Sequence, residues 1–220
     1  MTDTADRAMA GYYARRAAEY EQVYRKPERQ ADPRVLTELL GTAFAGHDVL
    51  EVACGTGYWT EVIARSARSI VAADINGEVL AIARTKDYGA CRVTLTQADA
   101  YAPPSAAAGF TAGFHAFWWS HVSVQRIDSF LDAFHSALMP GALVVMMDNT
   151  FVEGSSTPVS RRDEDGNTYQ VRRLRDGSTH EVLKNFPAPE ALRANLALHA
   201  DGMQITQLQY YWLAQYRKKG

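Results

Sequence analysis

The feature that most constrains the fold is a pair of apolar runs, each of which ends in a short polar or small-residue turn. The first segment, VLEVACGTGYWT (49–60), is a buried strand that turns through small residues into a helix. The second segment, SIVAADIN (69–76), is another buried strand, and Asp74 stands at its carboxyl end. Apolar strands that alternate with helices predict an α/β sheet with helices on both faces. Ligands of such sheets bind beyond the carboxyl ends of the strands, where these small and acidic residues are expected.

The same alternation continues along the chain. It predicts strands at 48–53, 69–74, 91–98, 110–118 and 142–148, with helices at 58–66, 77–85 and 124–138. A polar loop at 152–165 follows, and then a hairpin around Asp176-Gly177, which is a strong two-residue turn signal. A helix at 188–199 and strands at 203–208 and 211–216 close the chain. The Tyr-rich stretch 12–24 predicts an N-terminal helix.

Length and composition indicate one soluble domain. The chain has 220 residues, of which 47% are hydrophobic and 22% charged, and its net charge of −2 does not suggest a nucleic-acid-binding surface. No apolar run reaches the roughly 20 residues that a membrane-spanning helix needs. Cys54 and Cys91 have no disulfide or metal-site spacing, so we expect a cytoplasmic protein without a metal. We expect a single domain over 1–220, with an N-terminal helical lid (1–47), a cofactor-binding core (48–149), an insertion (150–186) and a C-terminal part (187–220).

Two kinds of cofactor site use a glycine turn between a strand and a helix. Interpreted as the dinucleotide motif G-x-G-x-x-G, the turn offers Gly55 and Gly57 but has Thr60 at the third glycine position. Interpreted as E-x-A-x-G-x-G, it contains Glu51, Ala53, Gly55 and Gly57. This pattern resembles motif I of the class I S-adenosylmethionine (SAM)-dependent methyltransferases, with Ala53 in place of the usual first glycine. A nicotinamide-dependent oxidoreductase is an alternative, which Thr60 and the lack of a Tyr-x-x-x-Lys pair after the fourth strand disfavour.

The resemblance to class I methyltransferases implies a Rossmann-like, mostly parallel seven-stranded sheet with an antiparallel last strand. The hairpin is then an insertion after the fifth strand. SAM is the implied cofactor: Glu51 would serve the methionine ammonium group, Asp74 the ribose hydroxyls and Asp99 the adenine amino group. The expected cofactor-binding residues are Glu51, Ala53, Gly55, Gly57, Tyr58, Trp59, Asp74, Ile75, Ala98, Asp99, Ala100, Trp118 and Tyr20.

Acceptor residues are expected above the same sheet edge. Segment 12–24 resembles the opening of quinone-biosynthesis-type and related small-molecule methyltransferases, in which a Tyr-rich helix covers the cofactor. His121 follows the fourth strand and is the candidate base, or alternatively a solvated loop histidine. The expected substrate-binding residues are Tyr13, Arg16, Trp119, His121 and Arg173. Arginines of the hairpin region favour an oxygen acceptor, a carboxylate or a phenol, unless they form a solvated face.

The predicted function is therefore methyl transfer from SAM to a small molecule. The Asp/Asn-Pro-Pro-Phe/Tyr motif of many DNA and protein amide methyltransferases is absent, which argues against a nucleic-acid substrate. No membrane partner is indicated. A non-catalytic SAM-binding protein stays an alternative, and the sequence does not indicate an oligomeric state.

Overall fold

A central seven-stranded sheet organises the chain, for which a computed structural model describes residues 4–107 and 109–220. The strands are β1 (Asp48–Val52), β2 (Ser69–Asp74), β3 (Arg92–Gln97), β4 (Phe110–Ala116), β5 (Leu138–Asn149), β6 (Arg161–Arg162), β7 (Thr168–Arg173), β8 (Thr179–Leu183), β9 (Ala200–Gln207) and β10 (Tyr211–Lys218). The large sheet has the order β3-β2-β1-β4-β5-β10-β9, and β10 runs antiparallel to both of its neighbours. The Rossmann-like sheet predicted from the sequence is confirmed.

Helices cover both faces of this sheet. They are α1 (Thr4–Arg16), α2 (Ala31–Ala43), α3 (Tyr58–Ile63), α4 (Gly77–Ala83), α5 (Ile127–Ser136) and α6 (Pro189–Leu196), with 3-10 turns at Ala17–Arg25, Pro27–Arg29, Trp119–His121 and Val124–Arg126. One apolar layer contains Phe44 and Phe114, and the other contains Phe130, Phe134 and Trp212. None of the helices in the described part of the chain combines the length and apolarity needed to cross a membrane.

The parallel register brings four strand ends to one edge. Val52 at the end of β1 is paired with Ala73 of β2 on one side and with His115 of β4 on the other. Asp74, the last residue of β2, is paired with Gln97 of β3. The residues that directly follow these strands therefore lie side by side, although Ala53 after β1 and Phe117 after β4 are 64 positions apart in the chain.

Three elements differ from the sequence-based expectation. The N-terminal helix begins before residue 12 and ends at Arg16, after which the chain continues as 3-10 turns to Arg25. Helix α2 was not predicted, although Leu36, Leu40 and Phe44 recur every four residues and are fully buried. Strand β5 begins at Leu138 and continues through Pro140-Gly141, which we expected to be a break before the strand.

A second, three-stranded sheet of β6, β7 and β8 stands above the carboxyl edge of the large sheet. Its hairpin turns at Gly177, which has a φ of +85°, as the Asp-Gly pair predicts. A small apolar cluster of Met9, Tyr12, Leu174 and Val182 joins α1 to this sheet. The Asn185 amide donates to the Ser120 carbonyl at 2.8 Å, so the insertion is also tied to the segment that follows β4.

Candidate active site

A cavity lies at the shared carboxyl edge of β1, β2, β3 and β4. Of the residues expected to contact the cofactor, those that line it are Tyr20, Ala53, Gly55, Asp74, Ile75, Ala98, Asp99, Ala100 and Trp118. Tyr13 and His121 border the same cavity from the N-terminal helix and from the segment after β4. The sheet edge supplies the floor of the cavity, and α1 with the following turns covers it.

The glycine turn after β1 is held in a left-handed conformation. Ala53, Gly55 and Gly57 have φ values of +53°, +57° and +75°. An added Cβ at Gly57 would stand 2.5 Å from the Tyr88 hydroxyl oxygen and 3.1 Å from the Ala83 Cβ, so packing requires a glycine there. An added Cβ at Gly55 would meet no atom within 4 Å. Gly55 thus leaves space at the cavity wall, whereas Gly57 allows α4 to approach the turn.

Asp74 connects this turn to the end of β2. Its Oδ2 accepts the Gly55 amide hydrogen at 2.8 Å, and its Oδ1 accepts the Asn76 amide hydrogen at 2.9 Å. Burial raises the pKa of Asp74 above its usual range, and these backbone N–H groups oppose the rise. Each carboxylate oxygen keeps a further lone pair. The side chain is therefore placed to accept hydrogen bonds from a ligand in the cavity.

His121 is buried and has a defined hydrogen-bonding pattern. Its Nδ1 lies 2.7 Å from the Leu183 carbonyl oxygen, which can only accept, so Nδ1 carries the hydrogen. Its Nε2 lies 2.8 Å from the Tyr13 hydroxyl, which donates to it. Burial, reinforced by the nearby Lys184 cation, lowers the pKa of His121 to about 3. The imidazole is thus neutral near pH 7 and presents an accepting nitrogen between the sheet edge and α1.

A second cavity, of about 340 Å³, is lined by several cations. We call it the basic chamber; its cationic residues are Arg16, Lys26, Arg29, Arg172 and Lys184. A narrow space of about 60 Å³ joins the two regions, because Tyr13, Tyr20 and His121 line it together with Arg16, Arg172 and Lys184. A molecule in the basic chamber can therefore reach the edge of the first cavity.

Comparisons with known proteins agree with this geometry. A family model described as a methyltransferase domain matches residues 49–141, which contain β1 to β4 and the glycine turn. The seven-stranded sheet has the Rossmann-like methyltransferase fold. No curated protein matches the sequence.

Solved structures extend the likeness to nearly the whole chain. The DhpI complex with SAH is 28% identical over 97% of this chain and 96% of its own, with a TM-score of 0.77. The complex of DhpI with SAM and HEP is also 28% identical, over 98% and 99%, with a TM-score of 0.78. SAM-bound CalS10, an amino pentose methyltransferase from Micromonospora echinaspora, is 19% identical over 90% and 96% with a TM-score of 0.60, which supports the fold alone.

Four residues predicted to bind the cofactor do not line the cavity. Glu51 is buried inside β1, two residues before Ala53. Burial, with a contribution from the Asp74 charge, raises the pKa of Glu51 to about 8. Trp59 packs in the core, Tyr58 stacks on Tyr24 with ring centroids 4.2 Å apart, and Gly57 faces α4. Tyr58 and Trp59 do not reach the cavity because α3 directs its first residues away from the strand ends.

Two residues predicted to bind the acceptor are also placed elsewhere. Trp119 is buried in the core, where its ring stacks parallel to that of His115. Arg173 is exposed on β7, whereas its neighbour Arg172 lines the basic chamber. Tyr13 and Arg16 do line the region around His121. His115 is packed in the core.

Several residues of the site were missed in the sequence. Met9 and Phe117 line the first cavity, and Phe117 has an unusual φ of +59°. Lys184 is only 5% exposed, and its Nζ donates to Ser120 Oγ at 2.6 Å and to Asp148 Oδ1 at 3.1 Å. The strand pattern carried a signal for Lys184, since it lies two residues after the buried Val182 and alternation places both on one face.

Proposed function

We propose that the chain is a SAM-dependent methyltransferase that methylates a small molecule. The observation that carries this proposal is the cavity at the edge of the methyltransferase domain, where buried Asp74 meets a turn of small residues. The similarity to DhpI, which was crystallised with SAM and with SAH, covers nearly all of both chains and supports the same cofactor.

The residues present fit the polar and apolar parts of SAM. Asp74 would accept from the ribose hydroxyls, and Asp99 would accept from the adenine amino group beside Ala98 and Ala100. The Trp118 Nε1 hydrogen is buried at the cavity and has no partner among the described residues, so it offers the ligand a donor. When SAM is bound, it supplies a methyl group made electrophilic by the sulfonium charge.

The acceptor would enter between α1 and the three-stranded sheet. In the transfer, a bond forms between the acceptor oxygen and the methyl carbon, while the bond between sulfur and that carbon breaks and its electron pair returns to sulfur. Much of the acceleration can come from holding the two reactants in line. We assign this positioning to Tyr13 and His121, which lie where the cavity meets the narrow space.

His121 can also orient an acceptor that carries a hydroxyl hydrogen. Its Nε2 is the accepting nitrogen, because the Leu183 carbonyl keeps the other nitrogen protonated, and a hydroxyl of the acceptor would take the place of the Tyr13 hydroxyl there. Its pKa of about 3 makes the ring a weak base, so its role is to position the acceptor. A phenol has a hydrogen to donate to this nitrogen, whereas a carboxylate is already ionised near pH 7. The Tyr-rich segment, similar to that of quinone-biosynthesis-type enzymes, favours testing phenols beside carboxylates.

Calorimetric titration of SAH into the purified chain, with NADH as the control, tests the cofactor assignment. We expect micromolar binding of SAH alone, and Asp74→Ala should weaken it at least tenfold because the ribose hydroxyls lose a charged acceptor. Val171→Thr, an exposed change on β7, should bind SAH like the wild type and serves as the control. Binding of NADH instead would favour the oxidoreductase alternative.

Transfer of a labelled methyl group to a panel of carboxylates and phenols tests the reaction itself. Turnover of at least one acceptor would support the enzyme. SAH binding without turnover across a broad panel would favour the non-catalytic alternative.

A further inference from the structure

We propose that the basic chamber binds a doubly charged oxyanion on the acceptor, with Arg16, Arg172 and Lys184 as its contacts. This inference rests on the proposed methyl transfer, because it concerns the acceptor of the same site. It goes further in naming the charge that the acceptor carries and the residues that hold it.

The first argument is the charge balance of the chamber walls. Five cationic side chains line the chamber, and none of its lining residues within the described parts of the chain is Asp or Glu. Two carboxylates act on these cations from outside the chamber lining: Asp148 pairs with Lys184 at 3.1 Å, and Glu28 accepts a hydrogen bond from Ser155 Oγ at 3.3 Å. Buried cations that lack a counter-charge are costly, and an anion with two charges would offset part of that cost.

The second argument separates the cations that hold the protein together from those that face a ligand. Arg29 Nη2 donates to Ser155 Oγ at 2.9 Å and to the Ser155 carbonyl at 3.1 Å. Lys26 Nζ donates to the same carbonyl at 3.3 Å. These two side chains therefore fix the loop that closes the chamber and are already engaged.

Arg16, Arg172 and Lys184 have donors to spare. Arg16 lies over the Tyr20 ring, 5.5 Å from its centroid, and no ion pair engages it among the described residues. Arg172 donates through Nη2 to Gln170 Oε1, which leaves most of its guanidinium hydrogens available. Lys184 uses two of its three hydrogens for Ser120 and Asp148. All three border both the chamber and the narrow space beside His121.

The mutual influence of these cations agrees with that arrangement. Burial lowers the pKa of Arg172, and the Arg16 and Arg29 charges lower it further. Burial also lowers the pKa of Lys184, again with contributions from Arg172 and Arg16, while Asp148 opposes the change. An oxyanion between these groups would relieve their repulsion. The acceptor would then be fixed by its charged end, with its reacting oxygen near His121.

Titration with simple anions at constant ionic strength tests the inference. Sulfate and malonate represent tetrahedral and dicarboxylate dianions, and acetate represents a single charge. We expect both dianions to bind SAH-loaded protein at least tenfold more tightly than acetate, because more charge-assisted hydrogen bonds form. Whichever dianion binds better identifies the geometry of the group.

Neighbouring arginines on β7 provide a matched pair of variants. Arg172→Met should weaken dianion binding at least tenfold, whereas Arg173→Met, one residue along and exposed, should change it less than about twofold. Arg16→Met on α1 is the second test variant, should Arg172→Met fold poorly. Equal binding of sulfate to the Arg172 and Arg173 variants, or acetate binding as tight as sulfate binding, would overturn the inference.

The SAH titration separates this inference from the proposed function. SAH should bind the wild type and all three variants with similar affinity, because none of the three arginines lines the first cavity. Dianions that fail to bind while SAH still binds refute only the oxyanion site. Failure of SAH to bind the wild type refutes the proposed function.

Discussion

The two glycines of the turn after β1 should respond in opposite ways to the same substitution. Gly55→Ala should abolish cofactor binding at a small cost in stability. Gly57→Ala should cost more stability and disturb cofactor binding only indirectly. The reason is that Gly55 borders the cavity, whereas Gly57 faces Tyr88 and Ala83 of the protein itself.

The expected costs follow from the local geometry. Both residues have a positive φ, and placing an alanine there costs about 1 kcal/mol. Gly55→Ala adds no contact within 4 Å, so its total stays near this figure. At Gly57 the new methyl carbon would stand 2.5 Å from the Tyr88 hydroxyl oxygen, which itself donates to the Ala83 carbonyl at 2.8 Å. Such overpacking adds roughly 1–3 kcal/mol.

Thermal denaturation and SAH titration of both variants check these values. For a chain of this size, 1 kcal/mol corresponds to a change of about 2–4 °C in Tm. We expect Gly55→Ala to lose SAH binding by at least tenfold while its Tm falls by only that amount. Wild-type affinity in Gly55→Ala, or a Gly57→Ala protein as stable as Gly55→Ala, would show that the roles of the two glycines are wrongly assigned.

Three further predictions concern titratable groups. The pKa of Glu51 is raised to about 8, so the free protein holds a proton there at pH 7; because Glu51 does not line the cavity, SAH binding should leave this proton in place, and the proton release measured by calorimetry in buffers of different ionisation enthalpy should be the same for the wild type and for Glu51→Gln. His121→Ala should lower kcat at least about tenfold with a phenol acceptor while leaving the Kd of SAH within about twofold, since the ring acts on the acceptor; an unchanged kcat would return His121 to a structural role. Burial lowers the pKa of His115 to about 3, against about 6.5 when unfolded, so its contribution to the free energy of unfolding is complete above pH 6.5 and is lost as the pH falls toward 3. Between pH 7 and pH 5 the loss from this histidine should be about 2 kcal/mol, and urea titrations of His115→Leu should show a pH dependence smaller by that amount.

The sheet and most of the cofactor edge could be predicted because their determinants are local. Each strand is an apolar run, and the residue directly after it faces the ligand by the rule that governs open α/β sheets. Asp74 ends β2, Ala98 and Asp99 follow β3, and the structure brings these three residues to one cavity with Gly55. Glu51 does not line this cavity. It lies inside β1, one residue before the end of the strand, and the turn that follows the strand covers it.

Arg173 shows why the acceptor side was harder to predict. Strand alternation puts Arg173 on the same face as Val171, and an apolar residue is the usual sign of the buried face. In the structure Val171 is 47% exposed, whereas Gln170 is fully buried and Arg172 shares its face. The face of β7 that lines the chamber is polar, so the apolar Val171 marks the exposed face and not the buried one. Arg172 therefore faces the chamber, and Arg173 faces solvent.

The N-terminal segment was misjudged for a different reason. Its stability comes from contacts with distant parts of the chain, such as the hydrogen bond of 2.7 Å from Thr56 Oγ to Glu21 Oε1. The Tyr13 hydroxyl likewise forms a hydrogen bond with His121, which is 108 positions away in the sequence. Contacts of this kind override the helical pattern, and 3-10 turns that follow the surface of the site replace the predicted helix after Arg16.

This division between local and distant determinants has a functional consequence. The cofactor edge is built from residues of the sheet, whereas the basic chamber combines α1, the turns after it and the three-stranded sheet. Because the two regions share only a narrow space around Tyr13, Tyr20 and His121, substitutions in the chamber can alter the acceptor without moving the residues that hold the cofactor. If the proposed methyl transfer holds, we expect acceptor choice to depend on the parts of the chain whose structure is set by long-range packing, and to change with substitutions at the cations of the chamber.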